Sequence, residues 1–104
     1  MDKVKNRMKS KFILVTGAAG FIGSNLVLEL LRTQKNIQVI GIDNMNDYYD
    51  VSIKEYRLKK IEEEVSKHPS SSWVFLNGNI AEKNLIIQKI LMKKIKKIIF
   101  YLNI

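Results

Sequence analysis

The sequence predicts a doubly wound α/β domain with about four parallel strands in the order 3-2-1-4 and three helices, and three observations carry that prediction. Short apolar, β-branched runs alternate with longer segments whose apolar residues recur at helical spacing, the pattern of parallel strands joined by crossover helices. The first run stops at a glycine-rich turn that opens directly into a helix. The 104 residues, 46% hydrophobic and 27% charged, suit one core and leave little room for a second domain.

Residues 1–10 read as a basic, flexible N-terminal segment ahead of a partial domain over residues 11–104. Lys11-Phe12-Ile13-Leu14-Val15-Thr16 is short and apolar, a buried strand that ends at Gly17. From Gly20, the positions Phe21, Ile22, Leu26, Leu30 and Leu31 follow a helical period, closed by Thr33-Gln34-Lys35-Asn36. Residues 37–42 form the second strand, which ends at Asp43 in a polar loop containing Tyr48 and Tyr49. A second helix is expected over residues 51–67, with Ser52 and Glu55 spaced as a capping box, Leu58, Ile61 and Val65 on one face, and His68-Pro69 as the stop. Residues 73–76 give the third strand, closed by Asn77-Gly78-Asn79. Residues 82–94 read as the third helix, with Leu85, Ile86, Ile90 and Leu91 inward, and residues 98–102 as a fourth strand. That strand leaves an open sheet edge, which favours self-association.

The net charge of +8 is concentrated at the two ends. Lys3, Lys5, Arg7, Lys9 and Lys11 lie in the first, and Lys89, Lys93, Lys94, Lys96 and Lys97 in the second. Without interleaved aromatic residues these clusters read as solvated tails and helix faces, not as a nucleic-acid groove. No stretch of roughly 18 apolar residues is present for a membrane span, and no small-residue cleavage site follows the basic N-terminus. A cytoplasmic location is therefore expected. The absence of cysteine excludes disulfides and thiolate chemistry.

Thr16-Gly17-Ala18-Ala19-Gly20-Phe21-Ile22-Gly23 places three glycines at three-residue spacing between strand and helix. In such a turn Gly17 allows the tight bend, Gly20 lets a pyrophosphate approach the backbone, and Gly23 permits close packing of the helix. The N–H groups of Phe21 and Ile22, at the positive end of the helix dipole, then hold the anion. Asp43 stands twenty residues after Gly23 at a strand end, where its carboxylate can accept from both ribose hydroxyls of an adenosine. Its charge repels a 2′-phosphate, and no Arg or Lys lies between Asn44 and Asp50 to attract one, so NAD is favoured over NADP.

Residues 13–24, followed by Gly41-Ile42-Asp43-Asn44-Met45-Asn46-Asp47-Tyr48-Tyr49-Asp50, closely resemble the N-terminus of NAD-dependent sugar-nucleotide epimerases and dehydratases, extended short-chain dehydrogenases with a Rossmann domain. The Asp43–Asp50 loop and the pattern Lys54-Glu55-Tyr56-Arg57-Leu58 look most like UDP-glucuronate 4-epimerases, and the match spans residues 12–88. The resemblance implies that Gly17, Gly20, Phe21, Ile22 and Gly23 hold the pyrophosphate of NAD, Asp43 with Asn44 the adenosine ribose, and Asn79 with Ile80 the adenine. The family usually carries Asp where this chain has Asn79, and His-Leu-Ala-Ala where it has Tyr101-Leu102-Asn103-Ile104.

The family's chemistry rests on a Tyr-x-x-x-Lys pair and an upstream Ser or Thr, a region this chain is expected to lack, so no catalytic residue is assigned. Tyr56 and Lys60 share the spacing but fall on the helix after the second strand, and His68 reads as a helix stop; nothing supports a metal site. The expected function is thus the NAD-binding N-terminal part of a UDP-sugar 4-epimerase, UDP-glucuronate being the favoured sugar, inactive alone and meeting a UDP-sugar only in the full-length parent. The alternatives are a non-catalytic dinucleotide-binding or interaction module pairing through its open edge, a truncation product without function, and a sugar-nucleotide dehydratase as the parent.

Overall fold

The computed structural model describes residues 11–46, 50–94 and 98–101. A parallel sheet carries β1 (Lys11–Thr16), β2 (Ile37–Asp43), β3 (Ser72–Asn77) and β4 (Ile98–Tyr101) in the order β3-β2-β1-β4. Helices α1 (Phe21–Thr33), α2 (Val51–Val65) and α3 (Ile80–Lys94) alternate with the strands. This is the α/β architecture and the strand order that the sequence predicts. The basic segment 1–10, Tyr48, Tyr49 and the expected strand end at Leu102 lie outside the described residues. Among the described residues no helix is long and apolar enough to cross a membrane.

β1 pairs with a strand on each side, and its uninterrupted run Phe12 to Val15 is buried throughout, as a strand covered on both faces requires. The alternation of its side chains divides the core. Ile13 and Val15 join Val39 of β2 with Val27, Leu30 and Leu31 of α1 and Ile61 of α2. Phe12 and Leu14 join Ile40 and Ile42 with Ile87 of α3. Two helices therefore cover one face and the third covers the other, which is the doubly wound arrangement. Gly41 makes room on the first of these faces, because a Cβ there would run into the indole of Trp73. The register pairs Thr16 with Ile42 and Asp43 with Asn77, so the C-terminal ends of β1, β2 and β3 lie side by side.

Helix boundaries and faces depart from the sequence reading for local reasons. Asp50, not a Ser52–Glu55 box, caps α2: its Oδ1 accepts the Ser52 N–H at 2.9 Å and the Ser52 hydroxyl at 2.7 Å. The helix stops at Val65, before Lys67, because residues 66–67 tighten into a turn in which the Lys67 N–H donates to the Glu64 carbonyl. α3 starts at Ile80, earlier than Glu82, because Asn79 and Glu82 form a reciprocal box. The Glu82 N–H donates to Asn79 Oδ1 at 2.9 Å, and the Asn79 N–H donates to Glu82 Oε1 at 3.0 Å. Among the described side chains of α3 Ile87 is the buried one, whereas Leu85 and Ile86 are 71% and 45% exposed, contrary to expectation. The buried line of this helix passes through half-buried Lys83 and, four residues on, Ile87, which turns Leu85 and Ile86 away from it. The side chains of Ile90 and Leu91 are outside the described residues.

Candidate functional site

The end of β1 turns through Gly17, whose φ of +66° is left-handed and open to glycine without strain. Gly23 has a different role. A Cβ on it would strike the Gly17 carbonyl, so the close packing this glycine permits is that of α1 against the turn itself. Gly20, at φ −76° and ψ 171°, sits in extended backbone that any residue adopts. It is the N-cap of α1 and leaves that helix end without a side-chain cap.

Hydrogen bonds hold the turn in place. The Ala18 N–H donates to the Ile42 carbonyl at 3.0 Å, the Gly20 N–H to the Gly17 carbonyl at 2.9 Å, and the Ser24 N–H to the Gly20 carbonyl at 2.9 Å. The N–H groups of Phe21 and Ile22, in the first turn of α1, have no intrahelical acceptor by the geometry of a helix. They carry the positive end of the helix dipole at the mouth of the turn.

Asp43 ends β2 and is buried. Its Oδ2 accepts the Ala19 N–H at 3.0 Å, and its Oδ1 accepts the Met45 N–H at 2.8 Å and Lys54 Nζ at 3.0 Å. One carboxylate thus fastens the glycine turn, the following loop and α2. A carboxylate has about four lone-pair positions and an ammonium three protons, so the pair retains both an acceptor and donors. The stretch from Asn44 to Asp50 lacks a cation, but the fold supplies Lys54 from the first turn of α2, and the Asp43 charge is not alone.

One turn further along α2, Arg57 donates from Nη1 to the Ala19 carbonyl at 3.2 Å, and its guanidinium lies 5.9 Å from the centroid of the exposed Phe21 ring. Lys54 and Arg57 are the residues that sequence reasoning missed as contributors to the site. The available signal was their three-residue spacing, which places both on one helix face.

Asn44 and Asn79 serve local turns. Asn44 Oδ1 accepts the Asn46 N–H at 3.1 Å, and Asn79 Oδ1 is engaged by Glu82. The Gly78 N–H donates to the Asp43 carbonyl at 3.0 Å, which keeps Asn79 and Ile80 at the same end of the sheet as Asp43. Tyr56 and Lys60 lie elsewhere: Lys60 Nζ is 5.5 Å from the Tyr56 ring centroid, and both residues are exposed on α2. His68 does more than stop a helix. Its Nε2 lies 2.8 Å from Glu64 Oε2, and Arg32 Nε donates to Glu64 Oε1 at 3.1 Å. Hydrogen bonding to His68, and then to Arg32 against the opposing effect of burial, holds the Glu64 carboxyl below the usual range.

The glycine turn, the N-terminus of α1 and the Asp43–Lys54 pair meet at the C-terminal ends of β1 and β2, where open α/β sheets bind ligands. A family model described as GDP-mannose 4,6 dehydratase matches residues 14–101. The chain belongs to this family of NAD-dependent epimerases and dehydratases. An uncharacterized protein of Methanocaldococcus jannaschii is 44% identical over 82 residues, 75% of this chain and 25% of that protein. UDP-glucuronate 4-epimerase 6 of Arabidopsis thaliana is 48% identical over 52 residues, 50% of this chain and 11% of that enzyme. Among solved structures, dTDP-glucose 4,6-dehydratase from Bacillus anthracis in complex with NAD superposes with a TM-score of 0.60 at 27% identity, over 88% of this chain and 26% of that one. The matched stretch thus spans between 11% and 25% of these curated relatives' lengths.

Proposed function

We propose that residues 11–104 form the NAD-binding N-terminal part of a UDP-sugar 4-epimerase, with UDP-glucuronate as the favoured sugar, and that the activity of this chain by itself is binding. The observation that carries the reading is the glycine turn fastened to Asp43 with the first N–H groups of α1 presented beside it. The residues fit the cofactor: Phe21 and Ile22 N–H groups suit a pyrophosphate, and the Asp43–Lys54 pair suits a diol that both donates and accepts. Asn44, Asn79 and Ile80 stand at the adjoining strand ends, where they would flank the adenosine. When bound, NAD supplies a nicotinamide that takes and returns hydride. A dehydratase as parent is the second reading, favoured by the description of the matching family and by the Bacillus anthracis structure.

Calorimetric titration of the 104-residue chain tests the proposal, beside a Gly20→Val variant whose extended backbone accommodates valine. Saturable binding of NAD and ADP-ribose with similar affinity, weakened at least about tenfold in the variant at unchanged circular dichroism, is the expected result. A folded wild type that binds neither would overturn it.

A further inference from the structure

We propose that Arg57 is a positioning residue for the diphosphate of a bound nucleotide, acting through the glycine turn; this rests on the nucleotide-binding reading above. The peptide groups of the turn are held one after another: Ala18 N–H by Ile42, Ala19 N–H by Asp43, Gly20 N–H by Gly17. Arg57 takes the Ala19 carbonyl. A trans peptide is planar, so holding Ala19 O on one side and Gly20 N–H on the other fixes the Ala19–Gly20 peptide, which leads into Gly20. The next peptide carries the Phe21 N–H and is held at its Gly20 carbonyl by the Ser24 N–H, so Arg57 anchors the turn on the side from which α1 starts. The same guanidinium lies over the Phe21 ring, so Arg57 bridges the turn from Ala19 to the first residue of α1.

Charge adds to geometry. Arg57 is half-buried beside the helix N-terminus and brings a permanent cation to the place where the helix dipole already favours an anion. Lys54, one turn earlier on the same face, is committed to Asp43. The two cations of α2 therefore divide the ligand, Lys54 standing at the ribose side and Arg57 at the diphosphate side. Neither the glycine spacing nor Asp43 provides this second function.

The test uses the whole chain with Arg57→Ala and Arg57→Gln, titrated with ADP-ribose by calorimetry and with adenosine by amide chemical shifts, each variant's thermal midpoint being measured alongside. Arg57→Ala is expected to weaken ADP-ribose about tenfold while leaving adenosine within about twofold of wild type. Arg57→Gln, which keeps a donor for Ala19 and loses the charge, should fall between the two; if Arg57→Ala unfolds, it carries the same comparison. ADP-ribose affinity unchanged within about twofold in the variants would overturn the proposal, as would equal losses for ADP-ribose and adenosine, which mark a merely structural role. A wild-type chain that binds ADP-ribose no more tightly than adenosine overturns the nucleotide reading, and this inference with it.

Discussion

Asp43 joins three segments through one carboxylate, and its partner Lys54 is as deeply buried, the two side chains being 5% and 7% exposed. Removing one member of such a pair strands the other, at a cost of about 3–5 kcal/mol. Lys54→Met is therefore expected to lower the urea midpoint sharply, and the double variant Asp43→Asn/Lys54→Met to recover much of the loss. Gly17→Ala should destabilise by about 1–2 kcal/mol because of its left-handed backbone. Gly23→Ala should cost more, since the obstructing Gly17 carbonyl is backbone and cannot rotate aside. At this scale the glycines and Asp43 were legible, because their signals are local. The roles of Lys54 and Arg57 were not, because their partners Asp43 and Ala19 lie 11 and 38 residues away and meet them only across packed elements.

The helices show how caps outrank periodicity at element ends. Asn79→Ala removes one half of the box that starts α3 and is expected to cost about 1 kcal/mol, read as faster amide exchange in the first turn of that helix. Glu64 holds α1 to the C-terminal end of α2 through Arg32 and His68. Its folded carboxyl titrates below the unfolded value of about 4.3, so the stability it contributes is complete above that pH and is lost as the pH falls through the lower folded value. Denaturation midpoints of the wild type should accordingly drop more steeply below about pH 4 than those of Glu64→Gln. Leu58, Ile61 and Val65 share one face of α2 and pack on the core, as their spacing predicts. Lys54 and Glu64 are buried because partners on other elements neutralise them, which no single-helix pattern reveals.

At the scale of the whole fold, the sheet among the described residues has β3 and β4 at its edges, and Val74, Leu85 and Ile86 are exposed. Open edges and uncovered apolar side chains favour association. Sedimentation is expected to show a concentration-dependent increase in mass, reduced by Leu85→Lys/Ile86→Glu without change in ADP-ribose affinity. A persistent monomer would count against this surface as a pairing site.

The alternation of apolar runs and helical periods determined by itself the α/β class, the strand order β3-β2-β1-β4 and the position of the glycine turn. Parallel strands and their crossovers obey strong local and handedness rules, and a turn between strand and helix is written in consecutive residues. Only the tertiary structure decided that Asp43 is neutralised by Lys54, that Arg57 grips the turn, and that α3 faces the sheet through Ile87. Those outcomes depend on which elements pack together, and packing brings into contact side chains whose relation is invisible along the chain.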